Sequence, residues 1–103
     1  MAILVLVTTS NSKEARFITD DIITKRLAAC VNIIDNVHSI YLWKDSKEQS
    51  KETLLLIKTK EDILKELINR IKKIHSYVNP EIIALPIIDG SEDYLNWIGE
   101  ETK

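Results

Sequence analysis

Cys30 is the only cysteine in the 103-residue chain, so no internal disulfide can form. That counts against a small secreted scaffold stapled by cross-links and makes the cytoplasm the expected location. Glycine is almost as scarce. Gly90 and Gly99 are the only two, in the last turn and near the chain end, and no glycine-rich phosphate loop exists. The two histidines, His38 and His75, form no HxxxH or HExxH pair, and one cysteine cannot make CxxC, so the standard structural zinc motifs are excluded. No serine stands in a nucleophile elbow and no acid is paired with a nucleophile, so the chain is not read as an enzyme. An excess of one charge is also missing. Sixteen acidic and fourteen basic residues leave a net charge of −2, which counts against a nucleic-acid binder working by phosphate neutralisation. No stretch approaches the ~20 apolar residues that cross a membrane. The apolar start, Ala2 to Val7, lacks the basic region, length and cleavage site of a signal peptide and reads as a first strand.

What is present suits one compact domain over residues 1–103, with 45% hydrophobic residues to build a core. Ile3 to Val7 is a short run rich in β-formers. Asn11 and Glu14 have the spacing of a helix N-cap and its reciprocal partner, and Ala15, Ile18, Ile22 and Leu27 predict a helix from about Ser12 to Leu27. A second strand opens at Cys30 and reaches Trp43, with Asp35-Asn36 marking a bend or bulge. Lys44 to Glu52 carries no apolar residue and reads as a solvated hairpin loop. Thr53 to Ile57 is a third strand. Thr59 and Asp62 predict a second capping box, followed by a helical stripe of Leu64, Leu67, Ile68, Ile71 and Ile74 to about His75. Ile82 to Ile88 is a fourth strand, where Pro86 suits an edge. Asp89-Gly90-Ser91 turns into and caps a short last helix with Tyr94, Leu95, Trp97 and Ile98.

The order βαββαβ, with right-handed crossovers, places both long helices on one face of a four-stranded antiparallel sheet. The strands are apolar on both faces: Leu4 and Leu6 oppose Val5 and Val7, and Leu54 and Leu56 oppose Leu55 and Ile57. A helix-free face of this kind exceeds the ~300–600 Å² patch a monomer usually exposes, so the chain is expected to oligomerise through it.

The chemistry-bearing residues lie near strand ends. Cys30 opens the second strand, and His75 and Glu81 bracket the turn into the fourth. Thiolate, imidazole and carboxylate make a ligand set suited to copper or zinc. Each also has a plainer role: Cys30 as a small buried hydrophobe, His75 as a cation at a helix C-terminus, Glu81 as a partner for lysine. Tyr41 and Trp43 form either a cross-strand aromatic cluster or the wall of a cleft with Lys58 as its cation.

Five segments resemble signatures of the CutA divalent-cation-tolerance family: LAACVN at Leu27–Asn32, SIYLW at Ser39–Trp43, ETLLLIKT at Glu52–Thr59, HSYVNPEIIALPI at His75–Ile87 and DYLNWI at Asp93–Ile98. Their order along nearly the whole chain makes the likeness specific. The resemblance implies a ferredoxin-like α+β fold, a homotrimer with sheets packed edge to edge, and binding of divalent metal, chiefly Cu²⁺. By position, Cys30, Tyr41, Trp43, Lys58, His75, Tyr77 and Glu81 match the family's motif residues, which cluster near a cleft between subunits. His75, Glu81 and Cys30 are the implied metal ligands; Tyr41, Trp43, Lys58 and Tyr77 are the implied cleft. A relation to PII-type signalling trimers is also implied, with the cleft holding a small anionic effector on Lys58. Ser76 departs from the family's usual proline, and Asp45 from its common glycine. RNA binding fails for want of stacking aromatics on the central strands. A copper chaperone of this topology fails because Thr9, Ser10 and Asn11 stand where paired cysteines belong.

Overall fold

The structure, a computed structural model, describes all 103 residues. β1 (Ala2–Thr9) buries Ile3, Val5 and Val7 on one face and leaves Leu4 and Leu6 half-buried on the other. α1 (Ser12–Thr24) begins at Asn11, whose side chain accepts a 2.8 Å hydrogen bond from the Glu14 amide. The Glu14 carboxylate reaches back to the Ser10 amide at 2.9 Å, so the reciprocal cap forms one residue earlier than the sequence spacing suggests. The helix stops at Thr24 and not at Leu27. Arg26 turns left-handed at φ 58°, the Leu27 amide donates to Ile22 O and the Arg26 amide to Ile23 O. These are the two bonds of a Schellman ending, with arginine where glycine is usual.

β2 (Cys30–Trp43) and β3 (Ser46–Lys60) pair along nearly their full length, with a bulge between Ile34 and Val37 at which Asn36 takes φ 63°. The expected loop over Lys44–Glu52 is therefore wrong: only Lys44 and Asp45 turn, at φ 51° and 66°, and Ser46 onward is strand. Charged side chains sit easily on a two-stranded ribbon whose faces are both in water, because β2 supplies the hydrogen-bond ladder. α2 (Leu64–Ile74) follows a single 3₁₀ turn over Glu61–Ile63. Its expected Thr59 cap does not form, since Thr59 is buried and donates instead to Leu27 O at 2.8 Å. β4 (Ile82–Pro86) is shorter than expected and lies at the sheet edge, where a proline costs no ladder bond. α3 (Glu92–Glu101) starts after Ser91, whose side chain makes no cap bond.

The sheet order is β2-β3-β1-β4, with every neighbouring pair antiparallel. Ile18, Ile22, Leu67 and Ile71 from the two long helices pack on Val5, Val7, Leu55 and Ile57 to make the core. The opposite face carries Leu4 and Leu6 beside Leu56, with Ile34, Ile83 and Leu85 at 43, 52 and 43% exposure toward the edges. α3 covers only one end of that face, where the Lys60 ammonium donates to Gly99 O at 3.3 Å.

Candidate functional site

Polar groups gather at both ends of the sheet. At the Thr8 end of β1, His75 follows the last residue of α2, and its side chain is fully buried. Its Nε2 lies 2.8 Å from Thr8 O and must donate there, while Nδ1 accepts the Tyr77 amide at 3.0 Å. These partners fix the neutral Nε2–H tautomer and engage both ring nitrogens. Glu14 Oε2 stands 3.8 Å from Nδ1 and accepts the Ser76 amide at 2.7 Å. Partial burial pushes the Glu14 carboxyl up, but hydrogen bonds from the backbone and side chains of Ser10 and Ser76 outweigh it and hold the pKa at about 2. The Tyr77 hydroxyl donates to the buried Glu52 at 2.7 Å. Burial first, then that carboxylate, raises the Tyr77 pKa well above the usual phenol range.

At the other end of the same strands, Cys30 pairs across the sheet with Lys58. The Lys58 ammonium donates to Asn32 Oδ1 and lies 4.0 Å from Cys30 Sγ, and no carboxylate pairs with it. Tyr94 of α3 completes this group. Desolvation, followed by the neighbouring Cys30, raises its hydroxyl pKa.

The sequence-derived set is thus split. His75, Tyr77 and Glu81 share one end: Glu81 precedes Ile82, the partner of Val7, and is exposed without any hydrogen bond or ion pair. Cys30 and Lys58 lie level with Leu4, four residues down β1 and roughly 13 Å away. Trp43 stands at the hairpin tip, roughly 43 Å along β2 from Cys30, and Tyr41, two residues before it, lies within electrostatic reach of Tyr77. No three His, Cys, Asp or Glu side chains of the chain converge on one point. A metal within a single chain therefore does not fit His75, where it would have to displace the Tyr77 amide or the Thr8 carbonyl. Four participants were missed in the sequence. Glu14 was read only as a cap, while Asn32, Glu52 and Tyr94 fall inside the segments that carry the family resemblance but were given no role of their own.

The element order, the antiparallel four-stranded sheet and the helix-free face define a small ferredoxin-like α+β domain with polar clusters at both ends of its strands. The chain belongs to the CutA1 divalent ion tolerance protein family, whose model matches residues 3–101. It is 42% identical to the divalent-cation tolerance protein CutA of Thermus thermophilus over 99 residues, 96% of each chain. The solved structure of that protein superposes with a TM-score of 0.98 over 100% of both chains. An Archaeoglobus fulgidus CutA structure, 33% identical, gives a TM-score of 0.97 over 100% of both chains. The Arabidopsis thaliana CutA is 38% identical over 99% of this chain, which spans 56% of that longer protein.

These relatives correct one expectation. The Archaeoglobus protein is described as periplasmic and the Arabidopsis protein as chloroplastic, so the cytoplasmic location inferred from the sequence is overturned. The reason is physical. A domain closed by its own ladders and core needs no disulfide, so a single cysteine carries no information about compartment. The expectation about membranes reduces to a narrower fact: no helix is long and apolar enough to cross one.

Proposed function

We propose that this protein serves divalent-cation tolerance, without catalysing a reaction, as a homotrimer that takes up a divalent ion, Cu²⁺ foremost, between neighbouring subunits. The observation that carries this reading is the helix-free face. Leu4, Leu6 and Leu56 form its centre, Ile34, Ile83 and Leu85 are about half exposed at its edges, and Tyr41 and Trp43, on the same face by the strand register, extend it along the hairpin. Burying such a face against further copies yields roughly 25 cal/mol per Å² covered, and both edge strands offer free ladder groups for the same contact. Assembly also answers the split of the donors. Cys30, a soft ligand suited to copper, and Glu81, an uncommitted carboxylate, are too far apart on one chain but can meet across two. His75, with both nitrogens engaged, holds the turn that presents Glu81.

Calorimetric titration with Cu²⁺, on protein whose mass is fixed by light scattering, tests this. The expected result is a trimer with a stoichiometric site lost in Cys30→Ser and in Glu81→Gln, and weakened in His75→Ala only as far as the turn loosens. A monomer, or binding indifferent to both Cys30 and Glu81, refutes it.

One observation favours a second reading, that of a PII-like signalling trimer. Lys58 is a cation on a face due to be covered, and its own chain offers it no carboxylate. A small anionic effector would supply the missing charge. A thermal-shift screen of organic acids and nucleotides, repeated on Lys58→Met, decides it: a ligand that raises the wild-type midpoint but not the variant's supports the effector.

A further inference from the structure

Beside the Cys30–Lys58–Tyr94 group, α3 crosses the end of the sheet and leaves a groove of about 360 Å³. Five apolar residues, Met1, Ile87, Leu95 and Ile98 among them, wall it, and Lys60 and Gly99 complete the lining. Two features of it are unexplained by the fold. The first is Lys60, the one charged side chain in the lining. Its ammonium meets only the carbonyl oxygen of Gly99 at 3.3 Å and makes no ion pair, a long and neutral contact for a full charge. The second is Gly99 itself. Glycine weakens a helix relative to alanine, yet Gly99 lies within α3, does not have a positive φ, and a Cβ built on it would meet nothing within 4 Å. Neither backbone conformation nor packing requires glycine there. What its bare Cα does is keep one wall of the groove open.

We propose that this groove binds a small amphipathic carboxylate, a short-chain or monocyclic aromatic acid. Its apolar body lies against Ile87, Leu95 and Ile98, and its carboxylate sits on the Lys60 ammonium. The arrangement has the usual character of a small-molecule site, apolar walls with one placed polar group to fix orientation. The charge selects an acid over the alcohol of the same shape, since the alcohol leaves the ammonium with its present neutral partner. Lys60 lies two residues from Lys58 on the same face of β3, so Lys60→Met and Lys58→Met, compared side by side, tell this site from an effector held between subunits.

Hexanoate and hexanol serve as probes, titrated into the full chain by calorimetry or by NMR. Hexanoate is expected to bind the wild type at least about tenfold more tightly than hexanol, and to lose that advantage in Lys60→Met. Gly99→Leu, which fills the groove, is expected to abolish binding of both, while Gly99→Ala raises the thermal midpoint. No hexanoate binding by the wild type, equal affinity for acid and alcohol, or an acid affinity unchanged in Lys60→Met would each overturn the proposal. Should Gly99→Leu not fold, Lys60→Met, which removes one partly exposed ammonium, decides the matter alone.

Discussion

Replacing Glu14 with glutamine removes one charge from the most heavily hydrogen-bonded carboxylate of the chain and keeps its shape. Glu14 accepts from the Ser10 amide and hydroxyl at 2.9 Å each and from the Ser76 amide at 2.7 Å. Its pKa falls from the ordinary 4.5 to about 2. At 1.36 kcal/mol per unit, that depression corresponds to roughly 3 kcal/mol of stability. The folded pKa lies below the unfolded one, so the contribution is fully present above pH 4.5 and is lost as pH falls through about 2. By pH 3 less than half of it, roughly 1.4 kcal/mol, remains. Glutamine still accepts through one oxygen, so the expected gap between wild type and Glu14→Gln at pH 7 is about 2–3 kcal/mol. Urea unfolding of both proteins at pH 7 and pH 3, at one protein concentration, measures it. Other carboxylates, Asp21 with its Arg70 partner among them, titrate in both proteins and cancel in the difference. A gap of the same size at both pH values would refute the reasoning, because the charge of Glu14 would then be doing nothing.

Two further predictions rest on the backbone and on the open face. Asp45→Gly relieves a left-handed residue at φ 66° in the two-residue turn and is expected to raise stability by about 1 kcal/mol, read as a higher thermal midpoint with unchanged mass. Leu6→Lys places a charge at the centre of the helix-free face and is expected to reduce the light-scattering mass toward the 11.8 kDa of one chain, leaving the helical signal in place.

The order of elements was legible because each signal is local. Apolar stripes at helical spacing mark α1 and α2, short β-rich runs mark β1 and β4, and Asn11 announces a helix start three residues before the amide it caps. What failed was what depends on a partner far away in sequence. Ser46 to Glu52 is polar throughout and becomes strand only because β2 lies beside it. Thr59 has the composition of a cap but is drawn into the core by Leu27 O, 32 residues away. The same holds for the candidate site. Ser76 stands where the family resemblance leads one to expect proline. In the fold its amide, which proline would lack, donates to Glu14 across 62 residues. The departure is thus compensated by a bond that local reasoning cannot reach.

The separation of Cys30 from Glu81 leads to a test that does not depend on how the subunits are arranged in detail. If each metal site draws Cys30 from one chain and Glu81 from its neighbour, Cys30→Ser and Glu81→Gln damage different halves of it. A trimer made wholly of either variant then binds nothing. Unfolding the two variants together in equal amounts and refolding them produces mixed trimers by chance. An interface then has an intact Cys30 half the time and, independently, an intact Glu81 half the time, so about one site in four is whole. A Cu²⁺ titration of the mixture is expected to recover about a quarter of the wild-type stoichiometry at wild-type affinity. If the ligands instead came from a single chain, every chain in the mixture would lack one of them, and no site would return. Zero recovery from a mixture shown to exchange subunits therefore removes the shared site.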